Sequence, residues 1–278
     1  MTNQIFTATG CARCKIAKGY MRQQKIDYEE FDIKAEGKTA FAKFYRENRK
    51  DIYRDEDGVE FPVFSNGSVI RQGASVIIGY LMAGDALNGF IGRNALHGEW
   101  IDGFDIAGGD PVHAEDLIKV LAYLKQNGLK IQVYTDGRNS LVLEKIMDSE
   151  LANRVIMEVK GPAVLYEALC GQALEESELI RSIALAARCE DYRFYTVVTP
   201  IVRDDGTISY LSPEEIKETA EQIEIATGSK KHPYEICAHD PGQVIDERLK
   251  EMEPIASSDL FKYRTAARKF MVMAEIKK

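Results

Sequence analysis

The chain is poor in the features that would place it in several classes of protein. It has no run of about eighteen apolar residues, the length that a membrane-spanning helix needs. Its first residues lack the basic and apolar regions of a secretory signal peptide. Only five of its 278 residues are cysteine, an odd number that argues against a secreted disulfide framework. These absences predict a cytoplasmic protein with no membrane partner, whose thiols are kept reduced or used chemically.

An excess of basic charge is absent as well. The formal net charge is −8, and residues 1–90 are nearly balanced with 13 Lys or Arg against 12 Asp or Glu, so the acidic excess lies in the rest of the chain. An acidic surface disfavours a broad contact with a phosphate backbone, and we therefore expect no nucleic-acid partner. With 45% hydrophobic and 29% charged residues, the composition is that of an ordinary folded protein.

The most informative short motif is the CxxC formed by Cys11 and Cys14. Residues 4–8 have the composition of a strand, and residues 15–24 have that of a helix. Both thiols are therefore expected near the start of the helix, where the positive helix end and the adjacent Arg13 stabilise a thiolate. We expect Cys11 to be the exposed nucleophile and Cys14 the resolving thiol. A metal site and an unused pair of thiols are the alternatives.

The next sixty residues predict a small α/β unit around this motif. A strand at 27–33 follows the first helix, which implies a parallel pair with the first strand, and a helix is expected at 39–52. Residues 59–64 and 69–70 indicate a hairpin that turns at Asn66-Gly67. A last helix is expected at 76–83.

This order of elements, with CxxC after the first strand and Pro62 before the third, resembles the glutaredoxin and thioredoxin-like family over residues 3–88. The resemblance implies that Pro62 is cis and faces the dithiol as a substrate-docking residue. It also implies dithiol chemistry that needs no cofactor and acts on a protein or a low-molecular-weight disulfide. The family's usual Pro-Tyr between the cysteines is Ala12-Arg13 here, and its acidic glutathione-contacting pattern is missing near Gly73. Use of glutathione therefore does not follow from the resemblance.

Beyond a polar linker at 89–99, short apolar strands alternate with helical patterns. Strands are predicted at 103–107, 130–134, 154–159, 193–198 and 234–238, and helices at about 113–127, 138–149, 173–189 and 213–227. Five strands with helical crossovers predict a parallel (β/α) partial barrel at 100–278. A charged helix at 244–253 and a basic, amphipathic helical tail at 259–278 are expected to end it. The predicted fold class is thus α/β, with a thioredoxin-like domain at 1–88 followed by a partial barrel.

In such folds, ligands bind beyond the carboxyl ends of the strands, so the loops found there are candidate sites. These loops are Gly108-Gly109-Asp110-Pro111, Thr135-Asp136-Gly137, Lys160-Gly161-Pro162, Thr199-Pro200 and His239-Asp240-Pro241. Each has a structural explanation when taken alone, because Gly and Pro end strands and Asp110 can cap the following helix. Cys237 and His239 are spaced as two metal ligands, but no further ligand motif accompanies them.

The order of the loops at 108–111, 135–137 and 158–160 resembles the GGEP, TNG and acidic-x-Lys elements of the radical S-adenosylmethionine superfamily, especially its activating enzymes. The resemblance implies a rim that binds S-adenosylmethionine, with the first loop on the amino group of its methionine. The rim residues so implied are Gly108, Gly109, Asp110, Pro111, Thr135, Asp136 and Lys160. The family's CxxxCxxC loop should precede Trp100, yet residues 88–99 contain no cysteine. We therefore expect a degenerate barrel without an ordinary Fe–S cluster.

Three functions follow as hypotheses. The main one is a thiol–disulfide oxidoreductase acting through Cys11 and Cys14, coupled to a degenerate radical-enzyme-like barrel that binds a partner or a small molecule. The first alternative is an S-adenosylmethionine-binding or Fe–S-dependent enzyme in which the two cysteines supply part of a metal site. The second is a binding module without catalysis. The sequence does not predict the substrate or the oligomeric state.

Overall fold

The computed structural model describes residues 2–56, 58–93, 98–243, 247–253 and 255–277. Two stretches named above, 94–97 in the expected linker and 244–246 in the expected charged helix, lie outside these described residues. The chain divides into two compact units, Met1–Ile131 and Gln132–Lys278. Over the described ranges, no helix combines the length and apolarity needed to cross a membrane. The domain boundaries expected at 88 and 100 stay a prediction.

The first unit is built on a four-stranded sheet with the strand order β2-β1-β5-β6. Its elements are β1 (Gln4–Thr7), α1 (Ala12–Gln23), β2 (Glu29–Asp32), α2 (Lys38–Glu47), β3 (Arg54–Asp55), β4 (Gly58–Val59), β5 (Val63–Ser65), β6 (Ile70–Gln72), α3 (Ala74–Ala83), β7 (Trp100–Asp105) and α4 (Ala114–Gln126). β1 pairs in parallel with β2 and antiparallel with β5, and β5 forms a hairpin with β6. The predicted parallel pair and the hairpin at Asn66-Gly67 are thus confirmed.

Alternation along β1 decides how the helices cover this sheet. Ile5 points to one face, where it packs with residues of α1 and α3, including Met21 and Ile77. Phe6 points to the other face, where it stacks on Phe31 of β2 and Phe44 of α2. Because successive side chains of a strand alternate between faces, this two-residue segment joins two separate apolar clusters.

Two boundaries in the first unit differ from the sequence prediction. α2 ends at Glu47 rather than near 52, because Ile52 is needed in the core, where it is 4% exposed. Val59 belongs to a short hairpin of β3 with β4, and β5 begins only at Val63. The break falls at Pro62, which has no backbone N–H to donate to a strand partner.

The second unit is built on a parallel sheet with the strand order β14-β13-β10-β9-β8. Its elements are β8 (Lys130–Thr135), α5 (Ser140–Asp148), β9 (Arg154–Glu158), α6 (Tyr166–Cys170), α7 (Glu176–Ala186), β10 (Asp191–Val198), β11 (Pro200–Val202), β12 (Ile208–Tyr210), α8 (Pro213–Thr227), β13 (Tyr234–Ala238), α9 (Glu247–Lys250), α10 (Leu260–Ala267) and β14 (Ala274–Lys277). The expected alternation of parallel strands and helices is confirmed.

The helical tail expected at 259–278 is wrong. Only Leu260–Ala267 is helical, and Ala274–Lys277 forms β14, which pairs in parallel with β13. Arg264 and Arg268, which suggested a basic helix face, both pair with Glu275 of β14. Their charges are therefore compensated within the fold. A hairpin of β11 with β12 was not expected either.

The Gly108-Gly109 loop has a structural reason for its glycines within the first unit. β7 ends at Asp105 rather than 107, and the chain then passes against Gly89 and Phe90. A Cβ at Gly109 would overlap the ring of Phe90, which is fully buried. A Cβ at Gly108 would lie 2.7 Å from the Gly89 carbonyl oxygen. Close packing therefore requires glycine at both positions, whether or not the loop also contacts a ligand.

This packing gives a stability prediction. Gly109→Ala should lower the free energy of unfolding by about 2 kcal/mol, because the added methyl group forces the buried Phe90 ring to move. Gly92→Ala is the matched control, since a Cβ there meets only the Gly103 oxygen at 3.6 Å. Urea unfolding followed by circular dichroism measures both. Equal stability of the two variants would contradict the close packing.

Candidate dithiol and ligand-binding sites

Cys11 and Cys14 lie at the amino end of α1 and are joined by a disulfide. Cys11 is the N-cap residue of the helix, and the backbone N–H of Cys14 donates to its Sγ at 3.1 Å. Cys14 is 2% exposed, whereas Cys11 is half-buried. The thiols therefore sit at the helix start as predicted, and Cys11 is the more accessible of the two. Their chemical roles stay a prediction.

The segment before β5 lies beside this disulfide. The Phe61–Pro62 peptide bond is cis, and Pro62 is buried. The Phe61 carbonyl oxygen is 3.8 Å from the Sγ of Cys11. On the far side of the proline, the Pro62 carbonyl accepts from the backbone N–H of Gly73 at 2.9 Å. The structure thus brings together Cys11 and the Pro62 segment, which the sequence separates by fifty residues.

Arg13 has a partner that sequence reasoning missed. One guanidinium nitrogen lies 2.5 Å from a carboxylate oxygen of Glu60, whose side chain is 12% exposed. Burial raises the pKa of Glu60, while the charges of Arg13 and Arg93 act in the opposite direction. The only signal in the sequence was an acidic residue two positions before Pro62. Arg13 is therefore paired within the fold rather than free beside the thiols.

In the second unit, the loop after β8 is held by an ion pair between two of its own residues, Asp136 and Arg138. Thr135 and Asp136 are 3% and 7% exposed. The Arg138 side chain donates to both carboxylate oxygens of Asp136, at 3.0 and 2.6 Å. The backbone N–H of Gly137 donates to the Thr135 hydroxyl at 3.1 Å. Asp136 is thus held in place by Arg138, a residue outside the expected site.

Tyr166 joins this loop to the one after β9. Its hydroxyl donates to the Asp136 carbonyl at 2.8 Å and accepts from the backbone N–H of Lys160 at 3.3 Å. The Lys160 ammonium pairs with Glu158 at 2.8 Å. Tyr166 is fully buried, and burial raises its pKa far above the ordinary value, so the hydroxyl keeps its proton. The structure therefore brings together Asp136 and Lys160 through a tyrosine that no motif marked.

His239 follows β13 at the same edge of the sheet and is 5% exposed. Its Nδ1 lies 3.3 Å from the hydroxyl of Thr199, the residue after β10. Its Nε2 is buried and has no hydrogen-bond partner among the residues that the structure describes. Burial lowers the pKa of His239, with the charge of Asp240 opposing, so the ring is neutral near pH 7. A buried ring nitrogen of a neutral imidazole is expected to have a partner, which makes His239 a ligand-binding candidate.

His232 provides an internal comparison at the opposite end of β13. Its Nδ1 is hydrogen-bonded to the Tyr192 hydroxyl, its Nε2 is also buried without a described partner, and burial lowers its pKa. It lies at the amino edge of the sheet, where parallel α/β folds do not bind ligands. The two histidines are therefore a matched pair that differ in which edge of the sheet they occupy.

The loop at 108–111, described within the first unit, shows the capping role that the sequence allowed. The Asp110 carboxylate accepts from the backbone N–H of Val112 at 3.0 Å, and Pro111 occupies the first turn of the short helix that follows. Asp110 and Pro111 are exposed. Contact of this loop with a ligand stays a prediction.

One face of the sheet in the second unit carries polar side chains in register. Arg154 donates to Gln132 and to Asp191 on the two flanking strands, at 3.2 and 2.7 Å. Further along, Glu235 pairs with Arg193 at 3.2 Å and with Lys277 at 3.3 Å. A closed barrel fills its interior with branched apolar side chains. This half-exposed polar face instead offers hydrogen-bonding groups to a polar molecule.

The remaining cysteines, Cys170, Cys189 and Cys237, are not gathered with other potential metal ligands in the part of the chain that the structure describes. Burial raises the pKa of the Cys237 thiol to about 11, so it is protonated near pH 7 and is a poor ligand. Across the described ranges, no group of three or more His, Cys, Asp or Glu side chains is arranged to hold a metal ion. Cys237 and His239 therefore lack the further ligands that a metal pair would need.

Comparison with known proteins finds one sequence likeness, to a protein named as an activating enzyme. No protein-family model matches the chain. It is 23% identical over 177 residues to a protein of Methanocaldococcus jannaschii named "Putative glycyl-radical enzyme activating enzyme MJ1227", covering 61% of this chain and 68% of that protein. The sequence likeness supports the resemblance expected from the rim motifs.

Two solved structures are more distant. A domain of the pyruvate-formate lyase-activating enzyme from Bacteroides vulgatus has a TM-score of 0.45 and 15% identity, over 63% of this chain and 98% of that domain. The radical S-adenosylmethionine enzyme coproporphyrinogen III oxidase from Escherichia coli has a TM-score of 0.41 and 14% identity, over 62% of this chain and 41% of that enzyme. At these TM-scores, neither structure informs the function of this chain.

The bridging role of Tyr166 predicts a specific loss of stability. Tyr166→Phe should lower the free energy of unfolding by about 2 kcal/mol, because it leaves a backbone carbonyl and a backbone N–H unpaired in the interior. Tyr234→Phe removes an equally buried hydroxyl, but its partner Thr196 keeps a hydrogen bond to the Val159 carbonyl. Its loss should be about 1 kcal/mol. Urea unfolding of both variants tests the difference, and a smaller loss for Tyr166→Phe would contradict the bridge.

Proposed function

We propose that the rim of the second unit binds S-adenosylmethionine, in a protein related to activating enzymes that does not itself supply a cluster to cleave it. The observation that carries the proposal is His239 at the carboxyl edge of the sheet, with a buried ring nitrogen that lacks a described partner. The sequence likeness to an activating enzyme supports the choice of ligand.

The side chains at this edge fit the chemistry of the molecule. S-Adenosylmethionine carries an ammonium and a carboxylate on its methionine part and two hydroxyls on its ribose. Lys160 and Arg138 are cations suited to the carboxylate, and Glu158 and Asp136 are anions suited to the ammonium or the hydroxyls. The neutral imidazole of His239 suits a hydroxyl. When bound, the molecule would supply an electrophilic sulfonium centre to the site.

The cysteines do not fit an Fe–S cluster. A cluster of this kind is held by at least three thiolates, and the five cysteines of the sequence include a single closely spaced pair, Cys11 and Cys14. Those two are joined to each other. The proposed function is therefore binding of the intact molecule.

A pair of matched substitutions tests the ligand site. His239→Asn keeps a polar group near Nδ1 and removes Nε2, so it should weaken binding of S-adenosylmethionine at least tenfold, the effect of losing about 1.4 kcal/mol. His232→Asn makes the same change at the amino edge and should leave the affinity unchanged. Isothermal titration calorimetry of the full chain measures both.

The calorimetry also has outcomes that contradict the proposal. Absence of binding by the unmodified protein at millimolar S-adenosylmethionine would exclude it. Equal weakening by both substitutions would remove His239 from the site. A second titration with S-adenosylhomocysteine, which lacks the sulfonium charge, shows whether the acidic rim residues sense that charge.

Thiol–disulfide exchange by the first unit is a second candidate function, favoured by the half-buried Cys11 beside the Phe61–Pro62 segment. In the reduced protein, the Cys11 thiolate would attack one sulfur of a substrate disulfide and release the other as a thiolate. Cys14 would then attack Cys11 and release the second substrate thiol. The substrate gains two electrons, and the protein is left with its own disulfide.

This second function predicts opposite effects for the two cysteines. Cys11→Ser should abolish reduction of insulin by the prereduced protein, whereas Cys14→Ser should trap a mixed disulfide with the substrate, because the resolving thiol is missing. Cys170→Ser, a change in the second unit, is the control and should keep full activity. Reduction and adduct mass are followed by turbidity and mass spectrometry. Activity that survives Cys11→Ser would exclude this function.

A further inference from the structure

We propose that Glu60 is a positioning residue that sets the reactivity of Cys11 by holding the guanidinium of Arg13. The inference rests on the thiol–disulfide exchange proposed above as the second function. It assigns a role to Glu60, a largely buried residue that lies outside the CxxC motif and was not among the predicted site residues.

Arg13 stands between the two cysteines in the sequence, and Glu60 stands directly before Phe61. The Arg13–Glu60 ion pair at 2.5 Å and the approach of Cys11 Sγ to the Phe61 carbonyl at 3.8 Å therefore join the same two segments. Glu60 ties the helix start that carries the thiols to the segment that would receive a substrate.

The Arg13–Glu60 pair is largely buried. The side chains of Glu60 and Arg13 are 12% and 29% exposed, so solvent screens their interaction less than it screens a surface pair. The Gln72 side chain fixes the backbone at this point, since its amide donates to the Glu60 carbonyl and to the Tyr53 carbonyl, both at 3.0 Å. Glu60 is thus anchored on the side of its backbone as well as through its carboxylate.

A cation beside a thiolate stabilises it, but Arg13 is already compensated by a carboxylate. The other charges acting on Glu60 are Arg93, whose guanidinium stacks on Tyr53 at 3.3 Å, and Asp102 of β7. Arg13 acts on Glu60 more strongly than Arg93 or Asp102 does, which makes it the partner through which Glu60 can affect the thiol. Neutralising Glu60 should therefore leave the charge of Arg13 uncompensated, which stabilises the Cys11 thiolate.

The test is the pH profile of Cys11 alkylation by iodoacetamide in the reduced full-length protein. Glu60→Gln, which keeps the shape and a hydrogen bond to Arg13, should accelerate alkylation about fivefold at pH 7 and move the midpoint of the profile to lower pH. Arg13→Gln should slow alkylation and move the midpoint to higher pH. Glu30→Gln is the matched control, because Glu30 forms an ion pair of the same 2.5 Å length with Lys18 on the same helix. It should leave the profile unchanged.

The double variant decides whether Glu60 acts through Arg13. In the Arg13→Gln background, Glu60→Gln should no longer accelerate alkylation. Persistence of the acceleration would mean that the Glu60 charge acts on Cys11 directly and would overturn the positioning role, as would a Glu60→Gln profile equal to that of the unmodified protein. Alkylation measures the reactivity of the Cys11 thiol and does not require a disulfide substrate. If the variants show the expected alkylation profiles but the protein does not reduce insulin, the exchange function is excluded and the role of Glu60 stands.

Discussion

Parallel pairing of β9, β10 and β13 is the constraint on which the candidate ligand site depends. Val198 pairs with Ala238, and Tyr195 pairs with both Glu158 and Glu235. In a parallel sheet, strands that are in register also end together, so the residues that follow them must meet at one edge. This register, rather than any local motif, brings Thr199 to His239.

The first unit obeys a comparable rule with antiparallel strands. Phe6 near the end of β1 pairs with Val63 at the start of β5. The chain that leaves β1 therefore begins α1 next to the chain that enters β5. Cys11 and Pro62 are neighbours for this reason. The Arg13–Glu60 ion pair joins the same two segments. The topology that places Cys11 beside Pro62 therefore also places Arg13 beside Glu60.

Local patterns allowed much of the fold to be predicted. β13 was placed residue for residue, because a short apolar strand lies between polar turns, and so was α8, which starts at a capping box of Ser212 with Glu215 and stops at Gly228. The sequence did not predict β14, because this strand has only four residues and follows Arg264 and Arg268. Such a pattern is equally compatible with a basic amphipathic helix. The thioredoxin-like assignment of residues 1–88 stays a prediction, although its parallel pair and hairpin are present.

The candidate sites were predictable only where a motif lies within one loop. Cys11, Cys14 and Asp136 could be named because neighbouring residues marked them. Glu60 contacts a partner far away in the sequence, and its position two residues before Pro62 was the only signal for that contact. Tyr166 contacts backbone groups, for which a single sequence carries no signal. The role of Gly108 and Gly109 was ambiguous from the sequence, since close packing against Gly89 and Phe90 requires glycine at these positions even without a ligand.

The charges of the rim favour a zwitterion over a simple anion. Asp136 with Arg138, and Glu158 with Lys160, are two neutral pairs whose cations are still 23% and 22% exposed. An anion would have to displace a carboxylate from its cation without replacing it, which leaves a partly buried negative charge uncompensated. A ligand with both an ammonium and a carboxylate can exchange partners with both pairs and keep every charge matched. In the proposed complex, the uncharged His239 would add selectivity for a hydroxyl-bearing portion, because a ligand without such a group would leave its buried nitrogen unpaired.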